Sequence, residues 1–173
     1  MGCPPRFDGN SCSLRKIADV MKLHTVRVYP SKETLPRAEQ LAWKIASVAT
    51  DRAPIDAAAL DMAINRFIDN AAVAMAAINR RPVANARSQS LAHPREGGAQ
   101  VFGLSNIDGV DAEWAAWANG TAVRELDMHD TFLAADYSHP GDNIPPILAV
   151  AQQCGERHGL TGLDLIRGVL VGY

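Results

Sequence analysis

Residues 125–143 gather the groups able to move protons: Glu125, Asp127, His129, Asp130, Asp136, His139 and Asp142, among them two of the chain's five histidines. An imidazole titrates near neutrality and serves as acid or base. A carboxylate beside it can orient the ring or act as the second proton-transfer group. Gly141 permits a tight turn, and amides at the start of a following helix can receive an anionic group. Each residue also has a plainer role. Asp142 or Asn143 can cap the next helix, Asp130 and Asp136 suit solvated loop positions, His129 suits the surface, and His139, between Ser138 and Pro140, can be a structural hydrogen-bond donor. A metal site would draw on His129, Asp130 and His139. Against it stand the lack of a helical histidine pair four residues apart and of a cysteine cluster. Ser138 beside His139 makes a poor hydrolase, because adjacent loop residues rarely face each other and no G-x-S-x-G turn is present.

Such a loop needs helices on both sides, and the hydrophobic pattern supplies them. Leu41, Ile45 and Val48 form one apolar stripe before Ala53 and Pro54 break it. Residues 55–79 give the clearest helix, with Leu60, Ile64, Phe67, Ala71, Met75 and Ile78 at three- and four-residue steps and Asp61, Asn65 and Asp69 on another face. Past Asn70 the polar face vanishes, so that end is expected to be buried on all sides. Arg81-Pro82 starts a helix running to about Leu91, ended by His93-Pro94. Residues 95–99 read as a loop and 100–102 as a short extended piece. Asp111 is placed to cap a helix carrying Glu113, Trp114, Trp117 and Ala118. Gly120 inside it costs about 1 kcal/mol against alanine, which is tolerable where another backbone comes close.

After the loop, Pro145 and Pro146 fit the first turn of a helix to about His158. Thr161 and Asp164 form a capping box for a last helix with Leu163, Ile166, Val169, Leu170 and Val171, which stops at Tyr173 in mid-stripe and reads as a chain cut short. Residues 1–20 are rich in turn formers and read as a flexible leader, with Met21 as a second start position; residues 21–37 are extended or irregular. Strand-like alternation is nearly absent, so the expected fold class is all-α.

The bulk properties exclude several classes. With 173 residues, 47% hydrophobic and 21% charged, the chain can bury a core of its own. A net charge of -2 without a basic, aromatic-interleaved stripe gives no sign of nucleic-acid binding. The apolar run at residues 71–78 is too short for a membrane span, which takes roughly 20 residues. Cys3, Cys12 and Cys154 form neither a disulfide framework nor a zinc spacing and suit a reducing cytoplasm.

The stretch W-A-N-G-T-A-V-R-E-L-D-M-H-D-T-F at residues 117–132, D-Y-S-H-P-G-D-N-I-P-P-I-L-A-V-A-Q at 136–152 and R-F-I-D-N-A-A-V-A at 66–74 resemble the MmgE/PrpD family. The resemblance covers about residues 21–173. It implies a large helical domain with a smaller α+β domain, a homodimer, and chemistry that uses no metal, iron–sulfur cluster or other cofactor. The first Asp of the family's D-x-x-D-T pattern falls on Asp127 and the His of its S/T-H-P pattern on His139, both active-site positions; Asp130 matches the same motif. Met128 stands where members often carry Phe. The form S-H-P-G-D-N-I-P-P is closer to members that remove water from 2-methylcitrate, giving 2-methylaconitate in propionate breakdown, than to the decarboxylases. Citrate dehydration, decarboxylation and epimerisation are the alternatives within the family, and an inactive truncated product is another. Members run to several hundred residues and complete their pockets with downstream lysine, histidine and tyrosine, so the resemblance implies that this chain is the amino-terminal part of such an enzyme and inactive alone. The arginines Arg80, Arg81, Arg87 and Arg95 are available for substrate carboxylates, but nothing in the sequence aims them at the loop.

Overall fold

A computed structural model of the protein describes residues 27–105 and 108–173, so the leader expected over residues 1–20 lies outside the described residues. The chain divides into two compact units, Met1–Pro54 and Ile55–Tyr173. In the first, residues from Arg27 onward are irregular up to a 3-10 turn, Arg37–Glu39, and helix α1, Leu41–Ala49. Helix α1 forms where its stripe is, yet none of its residues is buried.

The second unit is helical: α2 Ala57–Ala76, α3 Arg81–Ser90, α4 Ala112–Arg124, α5 Ile144–His158 and α6 Gly162–Gly172. Three short strands interrupt it, β1 Pro94–Ala99, β2 Phe132–Leu133 and β3 Tyr137–Ser138, and a 3-10 turn, Pro140–Asn143, leads into α5. The fold class is all-α, as the pattern indicates. Helix α4 is central and packs against α2, α3 and α5, while α6 lies against α2 and α5. Its buried residues are Ala115, Ala118, Asn119, Ala122 and Val123. They meet Ala86, Ala99, Val101, Val110 and Ala149 on one side and Ala74, Ala77 and Val83 on the other. A core this rich in alanine lets helices approach closely, since side-chain size sets the distance between axes. No helix among the described residues is long and apolar enough to cross a membrane.

Several local expectations are corrected. The buried face of α2 is Ala63, Asn70, Val73 and Ala74, whereas Ile64 and Met75 of the bulky stripe are exposed. Its end is therefore buried on one face and not all round. Residues 94–99 form strand β1 in place of a loop, because Gly98 has no Cβ to strike the Val110 carbonyl, and Pro94 and Ala99 both bridge to Val110. Residues 100–102 form no strand. The Asn119 side chain takes the place of a ladder there, accepting from Phe102 N at 2.8 Å and donating to the Gln100 carbonyl at 3.0 Å. Asp111 sits at the N-cap of α4 but makes no side-chain cap bond; its Oδ1 accepts from Arg95 at 2.8 Å. A Cβ on Gly120 would meet nothing within 4 Å, so no backbone approaches it.

The ends of the fold follow the sequence more closely. Thr161 and Asp164 make the capping box in both directions. Pro145 and Pro146 open α5, and Gly159, at a φ of 62°, ends it in the left-handed conformation suited to glycine. Val169 of α6 is fully buried.

Candidate active site

Helix α4 ends at Arg124, and the chain turns at Asp127, whose φ of 50° is left-handed. Aspartate tolerates that region better than most residues. The turn leaves the Asp127 carboxylate exposed, with Arg124 Nη1 at 3.4 Å from its Oδ1. Five residues further on, β2 and β3 pair antiparallel, Phe132 opposite Ser138 and Leu133 opposite Tyr137. Asp136 shapes the hairpin turn by accepting from Tyr137 N at 2.8 Å. The register brings His139 back beside Asp130 and Thr131. His139 Nδ1 donates to the Asp130 carbonyl at 2.9 Å, with Thr131 Oγ1 a weaker neighbour at 3.4 Å. A carbonyl can only accept, so this bond puts the hydrogen of the neutral ring on Nδ1 and leaves the lone pair at Nε2.

Of the three residues picked from the sequence, Asp127 and His139 come together. One ligand-type atom from each of Asp127, His129 and His139 lies within 4.8 Å of the others. Asp130 contributes to the same place through its backbone carbonyl, while its carboxylate turns away. Its Oδ1 accepts from Gly141 N at 2.9 Å, and its Oδ2 lies 3.9 Å from Arg66 Nε. That carboxylate is only 7% exposed, so the solvated reading does not hold. The Tyr173 phenol lies near this carboxylate.

Burial first, then the neighbouring carboxylates of Asp130 and Asp69, raise the Tyr173 pKa above its ordinary value of 10.0, with Arg66 opposing. A raised folded-state value means that the fold favours the protonated phenol. This contribution to stability is complete below pH 10.0 and is lost as the pH climbs past that value. An alkaline absorbance titration is expected to show a late phenolate step that Tyr173→Phe removes; a late step surviving in the variant would refute the contact with Asp130.

The sequence reading missed two residues of the site and misplaced others. Arg124 stands between the carboxylates, 3.4 Å from Asp127 and 3.9 Å from Asp142 Oδ2. The one available signal was its position three residues before Asp127 at the end of a helix. Asn70 of α2 reaches the turn by donating to the Gly141 carbonyl at 3.1 Å. His129, expected at the surface, has a fully buried side chain whose Nε2 meets Asp142 Oδ1 at 2.9 Å. Neither Asp142 nor Asn143 caps α5: Asn143 Nδ2 donates to the Gly172 carbonyl instead. The amides expected to receive an anion are taken or missing. Gly141 N donates to Asp130, Asp142 N to the His139 carbonyl and Ile144 N to the Gly141 carbonyl, and Pro145 and Pro146 have no N–H.

The donor set of Asp127, His129 and His139 is one that a divalent metal can use. It replaces Asp130 of the trio weighed from the sequence by Asp127. A guanidinium already stands in that space, with Arg124 Nη1 3.4 Å from both Asp127 Oδ1 and His129 Nε2.

Residues 39–173 match the family model of the MmgE/PrpD N-terminal domain. Over 146 residues, 78% of this chain and 27% of the relative, the chain is 30% identical to a protein of Saccharomyces cerevisiae named "Probable 2-methylcitrate dehydratase". It is 42% identical over 53 residues, 31% of this chain and 11% of the relative, to the 2-methylcitrate dehydratase of Cupriavidus necator. It is 48% identical over 42 residues, 24% of this chain and 9% of the relative, to that of Escherichia coli K12. The chain thus spans about a quarter or less of the length of these relatives.

Proposed function

The chain belongs to the MmgE/PrpD family, and we propose that it carries the acid–base loop of a hydro-lyase that removes water from 2-methylcitrate to give 2-methylaconitate. The observation that supports this most is the convergence of Asp127 and His139 within 4.8 Å, with His139 held so that Nε2 keeps its lone pair. In this reading His139 Nε2 takes the proton from the carbon next to a carboxylate. The C–H pair becomes the new double bond, the C–O bond breaks, and the hydroxide leaves with a proton as water. One imidazole can carry the proton from carbon to oxygen and finish neutral, so the balance needs no other co-reactant. Asp127 faces the same space and orients the hydroxyl, and Arg124 offsets the charge of the carboxylates around it.

The reaction belongs to a longer polypeptide, with the 173 residues inactive alone. The share of the relatives' length that the chain spans supports this. We place that polypeptide in the cytoplasm as a homodimer, working without metal or other cofactor, as the family resemblance implies. The test is to capture the polypeptide from its own cells through this chain and supply 2-methylcitrate, citrate and other tricarboxylates, with and without a chelator. Ultraviolet absorbance of the new conjugated double bond should rise with 2-methylcitrate, equally in both conditions. Turnover of citrate alone would move the assignment within the family. Loss of activity on chelation, restored by a divalent metal, would favour a metal-dependent reaction at Asp127, His129 and His139.

A further inference from the structure

His129 has no task in the reaction just described, yet it is the most completely buried ionisable side chain of the loop. Burying an imidazole is unfavourable unless its polar atoms find partners. Here only one nitrogen does. Nε2 lies 2.9 Å from Asp142 Oδ1, with Arg124 Nη1 at 3.4 Å, while Nδ1 is buried without a hydrogen-bond partner among the described residues. A histidine kept for packing alone could be replaced by an apolar residue without leaving that nitrogen unmet.

The surroundings indicate what it is kept for. The His129 ring lies 4.9 Å from the His139 ring, tilted by 34°. Its partner Asp142 is tied to His139 in turn, through Asp142 N and the His139 carbonyl at 3.0 Å. The contacts close a circuit: His139 to Asp142 along the 3-10 turn, Asp142 to His129 by side chain, and His129 back to His139 by ring contact. The bond from His139 Nδ1 to the Asp130 carbonyl fixes one atom of the imidazole and leaves the ring free to tip about it. A neighbouring ring face fixes the plane as well. Tyr137 cannot do this, being edge-on at 6.2 Å and 70% exposed.

We propose that His129, clamped by Asp142, is a positioning residue that holds the His139 imidazole at the angle its proton transfer requires. The inference rests on the dehydratase reading for its substrate. A misplacement of 1 Å at a reacting group can cost about a hundredfold in rate. His129→Ala and Asp142→Ala are each expected to lower kcat on 2-methylcitrate by about 10- to 100-fold, with KM moving less than about twofold. The double variant should be no worse than the poorer single one, because the two act as one unit. Asp142→Asn keeps an oxygen that can accept from His129 and should recover most of what Asp142→Ala loses. A second readout needs no substrate: by NMR, the His139 Nδ1 hydrogen should exchange with solvent faster in His129→Ala than in the parent. Full kcat per folded molecule, a loss confined to KM, multiplying losses in the double variant, or unchanged exchange would each overturn the proposal. A parent protein that ignores 2-methylcitrate would strike the dehydratase reading alone, and the exchange measurement would still decide the role of His129.

Discussion

In the longer polypeptide, His139→Ala is expected to lower turnover of 2-methylcitrate by about 10²- to 10⁴-fold, the range that a positioned acid–base group supplies, while the protein stays folded. The ring is half-buried at the edge of the hairpin, and its one close hydrogen bond goes to the Asp130 carbonyl. Water can replace that donor once the ring is gone, so the loss should appear in kcat and not in the folded fraction. Asp127→Asn is the companion measurement. Asparagine accepts the left-handed φ of 50° as readily as aspartate, so the turn survives and only the charge beside Arg124 disappears. Asp130→Asn should behave differently, since the Asp130 carboxylate binds Gly141 and faces Arg66 at the back of the turn. Its loss should lower the melting temperature together with activity. Near-normal turnover in His139→Ala, with circular dichroism unchanged, would end the assignment of His139 as the proton carrier.

The positions of the helices were legible in the sequence because punctuation marks them. Prolines open α3 and α5, a glycine closes α5, and a reciprocal Thr161–Asp164 pair opens α6. Which face each helix buries was not legible in α2. Pattern reading gives weight to bulky residues, and Ile64 and Met75 carried the periodicity there, but the buried contacts are made by Ala63, Val73, Ala74 and Ala77. Alanine is nearly silent in such a reading and decisive in a closely packed core. The same holds for β1: a glycine pair reads as a loop, but Gly98 admits a neighbouring backbone.

At the site, residue types and the family motif singled out Asp127 and His139, which the hairpin brings together. Long-range partners carry no local signal. Asn70 reaches Gly141 across 71 residues, and Arg66 of the same helix faces Asp130, so neither could be found by scanning the loop. His129 and Asp142 were both visible, but their pairing depends on a turn whose geometry the residue types leave open.

Gly141→Ala is the substitution expected to damage the fold most, for a reason of space and not of backbone conformation. Gly141 is buried between Asp130 and Asn70, donating to Oδ1 of the first at 2.9 Å and accepting from Nδ2 of the second at 3.1 Å. An added Cβ would overlap Asp130 Oδ1 and come within 2.9 Å of Asn70 Nδ2. The carboxylate must then swing away, breaking its bond to Gly141 N and leaving a buried amide unmet. Overpacking and an unmet buried donor each cost about 1 to 3 kcal/mol. Together they amount to about 2 to 6 kcal/mol, a large part of a typical domain's stability of about 5 to 15 kcal/mol. Gly120→Ala in α4 is the control, since its Cβ meets nothing within 4 Å; in a helix interior it should stabilise by up to about 1 kcal/mol. Denaturant unfolding of the two variants should therefore move in opposite directions. Equal midpoints for Gly141→Ala and the parent would mean that Asp130 is not pinned at this turn. The consequence would reach the chemistry, because the residue whose carboxylate Gly141 anchors is the one whose carbonyl holds His139 Nδ1. In Gly141→Ala, turnover per folded molecule should therefore fall along with stability.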